Sequence, residues 1–326
     1  VNLKGINKIY FSPDGVYNQL SVNSIYNPDT KQYLLEEMNI HNVTNTKDIL
    51  SFGETNTKVK GESLLFGFPD YNFENKEKPQ KEGEKRSLRS LRGGGESTGL
   101  TRGLRAGLLR YMSGEEGISM LPGTKTEVEN IAEMFEQEDR KFTTYYSKEA
   151  EEEVLKQTKS PELLHIATHG FFLANVEEAT QDNQNKYVQN PLLRSGLILA
   201  GAGSFLKSGT AYNDQDGILT AYEAMNMNLD GTEVVVMSAC ETGLGTISNG
   251  EGVYGLQRSF LIAGAKSLIM SMWSVDDDAT QELMTEFYKQ WLATGNKQES
   301  FRRAQYKVKE KYPEPFYWGA FVIVGE

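Results

Sequence analysis

Residues 233–239 contain Val234-Val235-Val236-Met237, a run that is apolar at every position rather than at alternate ones. A strand of that pattern must be covered on both faces, as in a parallel sheet sandwiched between helices. Leu163 to Thr168, which follows Pro161, repeats the pattern around His165. Further strands are expected at Lys8 to Phe11, Ser63 to Phe68, Lys141 to Tyr146, Ser195 to Ala200, Ser267 to Trp273 and Trp318 to Val324. Helical spacing separates them. Val128, Ile131, Ala132 and Phe135 mark one face of a helix opened by a Thr124–Glu127 capping box. Glu149 to Thr158, Ile218 to Met225, Gly252 to Ala263 and Glu299 to Tyr312 read as further helices. So does a segment capped by Asp278 and Gln281, with Leu283, Met284, Phe287 and Trp291 on its inner face. Alternating strands and helices predict an α/β fold: a mainly parallel sheet with helices on both faces.

The chain is 326 residues long, enough for one large core, and 38% hydrophobic residues exclude a wholly disordered chain. The longest apolar runs, such as Phe260 to Ala265, fall far short of a membrane span of roughly 20 residues. No basic-then-apolar leader opens the sequence. It begins at Val1 without Met, so a chain that is processed or cut from a longer protein is expected. A single cysteine, Cys240, rules out an internal disulfide framework and a multi-cysteine zinc site, and a cytoplasmic location is the expectation. Net charge of −11 argues against direct nucleic-acid binding.

That charge is unevenly distributed. Lys76 to Arg110 carries ten Lys/Arg against four acids, a net +6, which leaves −17 for the rest. With Gly93-Gly94-Gly95 and no apolar period, residues 76–117 read as a basic flexible loop between an N-terminal part, 1–75, and a larger part, 118–326. The loop is either a solvated linker or a bait for an acidic cleft, with Arg86, Arg89 and Arg92 as its candidate autocleavage region. Leu88 and Leu91 suit an apolar cleft equally well. It is not a phosphate-binding loop: Leu100 stands where the lysine belongs.

In sheets of this class the reactive crevice lies beyond the carboxyl ends of the strands. His169 ends one buried run and Cys240 ends the other. An imidazole beside a thiol is the minimum for nucleophilic acyl transfer. Gly170 allows close approach of a substrate, and backbone N–H groups at Gly170 and Cys240 are candidate oxyanion donors. The bland alternative is that Cys240 is a small buried hydrophobe. His165, four residues before His169, falls on the same face if the strand runs straight, and reads as a core or supporting histidine. A zinc reading fails, because Ile166 stands where the metalloprotease glutamate belongs. The EF-hand-like Asp214, Asp216, Gly217 and Glu223 read as a turn, since Tyr212 cannot supply the first carboxylate. No metal or cofactor is expected. Asp276, Asp277 and Asp278, with Glu241, are the candidate specificity-pocket residues.

His165-Ile166-Ala167-Thr168-His169-Gly170 and Ser238-Ala239-Cys240-Glu241-Thr242-Gly243 resemble the two catalytic motifs of the CHAT family of caspase-like, separase-related cysteine peptidases. The resemblance extends to Tyr10 to Gly15, Leu121-Pro122-Gly123, Asp216 to Thr220, Gly252 to Leu256 and Trp318 to Phe321. It implies that His169 is the general base and Cys240 the nucleophile, with both positions filled. It also implies a degenerate N-terminal caspase-like half (1–75) and a catalytic half (118–326). A protein substrate, upstream tetratricopeptide repeats and an activator follow from it, as does a role in bacterial defence or stress with a gasdermin-like effector among the candidate partners. Two rival readings stay open: a scaffold that uses the fold for protein binding, and a zymogen-like peptidase that waits for a partner.

Overall fold

The computed structural model describes residues 5–13, 17, 18, 20–53, 61–73, 105, 108, 109, 118–173, 191–209, 215–239, 251–273 and 276–326. The N-terminal part supplies β1 (Lys8–Phe11), β2 (Tyr26–Asn27), β3 (Gln32–Tyr33), α1 (Leu34–Glu37), β4 (Asn39–Asn42) and β5 (Ser63–Pro69). Next come α2 (Pro122–Gln137), β6 (Phe142–Ser147), α3 (Glu152–Gln157), β7 (Leu163–Ala167), β8 (His169–Phe172), β9 (Ser195–Ile198), α4 (Ala202–Ser208), β10 (Ile218–Thr220) and α5 (Ala221–Ala224). The chain continues through β11 (Val234–Ser238), α6 (Glu251–Ile262), β12 (Ser267–Ser271), α7 (Asp277–Thr294), α8 (Lys297–Lys311), α9 (Pro315–Trp318) and β13 (Phe321–Gly325).

Eight strands form one sheet in the order β1-β4-β13-β12-β11-β7-β5-β6. The five from β12 to β6 are mutually parallel, β13 runs antiparallel to β12, and β4 and β1 follow the direction of β13. Strands from residues 1–75 and 118–326 therefore share a single sheet.

The all-apolar strands are explained by what covers them. On β11, Val234 and Val236 face α2, α7 and α8, where they meet Val128, Phe135, Leu283, Phe287 and Phe301. Val235 and Met237 face the opposite layer, which contains Leu155, Ala221, Leu256 and Phe260. Period-2 alternation thus sends every second residue into a different core. Gly67 on β5 lets α2 come close, since a Cβ there would lie 2.7 Å from Val128 Cγ2 and 2.8 Å from the Thr124 carbonyl. A second sheet, antiparallel β10-β9-β8, flanks the first.

Several local expectations are corrected. Helix α2 begins at Pro122 rather than at a Thr124–Glu127 box. Thr124 Oγ1 donates to the Leu121 carbonyl and accepts from the Phe68 N–H, so its hydroxyl ties helix to strand. Asp276, not Asp278, caps α7, accepting from the Ala279 N–H at 3.1 Å. Residues 218–225 divide into β10 and the single turn α5, because Ile218 to Thr220 pair with β9. Trp318 ends α9 instead of opening β13.

Beneath β10 lies a buried acidic group. Glu152 accepts from Lys156 Nζ at 2.7 Å and from the Gly217 N–H at 3.1 Å. Burial, followed by the charges of Asp216 and Glu223, pushes its carboxyl up to about 8. Among the described residues no helix is long and apolar enough to cross a membrane, and no group of three or more His, Cys, Asp or Glu could hold a metal ion.

Candidate active site

The two motif-bearing strands, β7 and β11, are neighbours and run the same way, with Ala167 opposite Ser238. Just beyond this pair, the Thr168 N–H donates to the Ser238 carbonyl at 3.2 Å. His169 is the second residue after Ala167, and Cys240 is the second after Ser238 in the sequence. Cys240 and Glu241 lie outside the described residues, as do Arg86, Arg89 and Arg92. Ala239, the last described residue before the cysteine, has its carbonyl held by Ser271 Oγ at 2.8 Å.

His169 does not continue β7. The chain breaks at Thr168 and re-enters regular structure as β8, where His169 pairs with Ile198 and Gly170 with Leu197. His165 and His169 thus belong to different strands and different sheets, which corrects the shared face expected from their spacing. His165 is fully buried.

The imidazole of His169 is 9% exposed, and its Nε2 lies 2.8 Å from the Ser119 carbonyl oxygen. A carbonyl can only accept, so Nε2 carries the proton and the neutral ring has its lone pair on Nδ1. The ring centroid lies 5.1 Å from that of Tyr71, which is completely buried. The backbone N–H of His169 bonds the Tyr71 phenol oxygen. That hydroxyl pairs with Thr168 Oγ1 at 3.0 Å, and Thr168 Oγ1 donates to the Ile198 carbonyl. Burial pushes the Tyr71 phenol up to about 12, so it stays a neutral hydroxyl.

A second polar chain runs along the opposite face of β7. Ser238 Oγ donates to Glu127 Oε2 at 2.9 Å, Glu127 Oε1 lies 3.3 Å from His165 Nε2, and His165 Nδ1 lies 3.0 Å from the Tyr288 hydroxyl. All four residues are buried. Burial holds the Tyr288 phenol well above its usual range. Next to this chain is a cavity of about 20 Å³ lined in part by Gly123, Glu127, Ser238, Asp277, Thr280 and Gln281. Of the three aspartates proposed for a pocket, Asp277 lines it, Asp276 caps α7, and Asp278 is exposed.

Sequence reasoning overlooked Tyr71, Ser119, Glu127, Thr280 and Tyr288. Two of them carried a signal. Tyr71 follows the end of a predicted parallel strand, where site residues collect. Glu127 lies four residues before Ile131, on the apolar face of its helix.

The CHAT domain family model matches residues 2–326. This chain belongs to the CHAT family. The CHAT domain resembles the crystal structure of the Arg-specific cysteine proteinase gingipain R, with a TM-score of 0.50 and 10% identity over 93% of this chain and 57% of that one. That likeness bears out the caspase-like fold. The yeast separase of a Saccharomyces cerevisiae separase–securin complex aligns over 88% of this chain and 14% of that one, with a TM-score of 0.41 and 12% identity. Human tetratricopeptide repeat protein 28 is 29% identical over 114 residues, 34% of this chain, and the match spans only 4% of that protein.

Proposed function

We propose that this CHAT domain is a cysteine endopeptidase, with His169 as general base and Cys240 as nucleophile. The observation that carries the reading is the parallel β7–β11 pair, with Ala167 opposite Ser238, which brings the two motif-bearing strands to a common end. The Ser119 carbonyl supports it by leaving Nδ1 of His169 as the basic nitrogen. Nδ1 takes the thiol proton as sulfur attacks the scissile carbonyl carbon. Backbone N–H groups at Gly170 and Cys240 stabilise the oxyanion. As the C–N bond breaks, the imidazolium returns the proton to the leaving amine. Water, deprotonated by the same imidazole, then hydrolyses the thioester to a carboxylate and regenerates the thiol.

The substrate is a protein cut after a basic residue. The net charge of −11 and the place of Asp277 in the cavity favour a cationic side chain, with Glu241 as an additional acid. The basic segment around Arg86, Arg89 and Arg92 is the candidate autocleavage region. The family resemblance supports a place in a cytoplasmic bacterial defence or stress pathway, with a gasdermin-like effector as substrate class. It also supports an activator acting through tetratricopeptide repeats, the repeats for which the human relative is named. Incubation with peptide libraries and mapping of new termini by mass spectrometry tests the reading, with Cys240→Ala as control. Peptide cleavage that persists in Cys240→Ala removes the mechanism; a protein that cuts nothing while binding partners favours a scaffold.

A further inference from the structure

The cavity beside Ser238 has a more specific chemistry than general acidity. Glu127 and Thr280 both line it, in side chains 4% and 5% exposed; Thr280 Oγ1 has no hydrogen-bond partner among the described residues, and Glu127 Oε1 has only His165 Nε2 nearby, at 3.3 Å. Among the described residues no Lys or Arg lies at ion-pair distance from Glu127. Its sole neighbour at ion-pair distance among the described residues is His165, whereas the comparably buried Glu152 has Lys156 at 2.7 Å. A buried carboxylate without a counter-charge is costly, and a cation entering the cavity offsets that cost.

The size of the cavity selects the cation. A volume of about 20 Å³ exceeds the roughly 10–15 Å³ that one water needs, and holds one group of that size. An ammonium is such a group, compact and with three donors; a guanidinium is a plane of three nitrogens and needs more room. Three of the lining residues carry side-chain acceptors: Glu127, Thr280 and Asp277. Glu127 Oε2 accepts from Ser238 Oγ at 2.9 Å, so the carboxylate is already oriented. Location fits as well. Ser238 precedes Cys240 by two residues, and the cavity-lining Leu121 follows by two the Ser119 that holds His169.

We propose that this cavity receives the ammonium tip of a lysine side chain, with Glu127 as its deciding carboxylate, so that the enzyme cuts after lysine in preference to arginine. The proposal rests on the peptidase reading above, and the experiment separates the two. Peptides identical except for Lys, Arg or norleucine before the scissile bond are compared on the wild-type domain, Glu127→Gln and Thr280→Val. Lysine should exceed arginine in kcat/KM by about tenfold or more, and the Lys-to-norleucine ratio should collapse in Glu127→Gln and fall in Thr280→Val. In parallel, n-butylamine and n-butylguanidine are titrated into Cys240→Ala by NMR. Saturable binding of the amine in preference to the guanidine supports the cavity assignment even if no peptide is cut, an outcome that would remove the peptidase reading alone. Cleavage with arginine equal to or better than lysine, or no saturable amine binding, overturns the lysine assignment while leaving the peptidase reading intact.

Discussion

Ala167 on β7 lies directly opposite Ser238 on β11, and the two strands end together. Everything attributed to His169 and Cys240 depends on that register. His169→Ala should lower peptide hydrolysis by about 10²–10⁴-fold, because the thiol then depends on its own pKa of about 8.5. Cys240→Ala should abolish hydrolysis with little change in Tm. Activity assays combined with thermal melts check both, and a near-silent His169→Ala alongside a severe His165→Ala would exchange the roles of the two histidines.

Tyr71→Phe tests the support of the imidazole. The change removes the hydroxyl that accepts from the His169 N–H and pairs with Thr168 Oγ1. A buried N–H left without an acceptor costs about 1–3 kcal/mol. The expected result in urea melts is a loss of that size, accompanied by a lower kcat. An unchanged midpoint and rate would mean that His169 is held without Tyr71.

Gly67→Ala should destabilise the fold by about 1–3 kcal/mol through overpacking. The added Cβ would meet the Thr124 carbonyl and Val128 on α2, neither of which is the loose end of a long side chain. Retention of the full wild-type urea midpoint would show that α2 can shift away from β5 at no cost.

The Glu152 carboxyl is raised from 4.5 to about 8 by burial and by neighbouring acids. The folded chain therefore holds a proton that the unfolded chain has released between those values. Its contribution to stability is complete below about 4.5 and is lost as pH rises through about 8. Tm of the wild type should fall across this window relative to that of Glu152→Gln, which cannot titrate. Parallel Tm profiles for the two proteins would refute the shift.

The core strands were legible in the sequence because continuous apolar runs demand two covering layers. Val234 to Met237 and Leu163 to Ala167 were found in this way, whereas the break at Thr168 that moves His169 into the second sheet was not. What was hidden depended on tertiary pairing. Ile218 to Thr220 is too short to announce a strand and is fixed as one by its ladder to β9. Thr124 and Glu127 carry the residue types of a capping box, yet the fold uses them to bind β5 and Ser238. A local motif cannot reveal that its side chains have been claimed from a distance.

β13 lies between β12, drawn from the last quarter of the chain, and β4, drawn from its first 42 residues, and Asn42 Nδ2 donates to the Ile323 carbonyl across 281 positions. During synthesis, β4, which pairs with β1 on one side, leaves the ribosome long before β13, its partner on the other, exists. Until residues 321–325 emerge, β4 and β12 each present an unpaired edge. Strand exchange or aggregation is most dangerous in that interval. Closing so long a loop is slow, so the final strand sets the pace at which the sheet becomes whole.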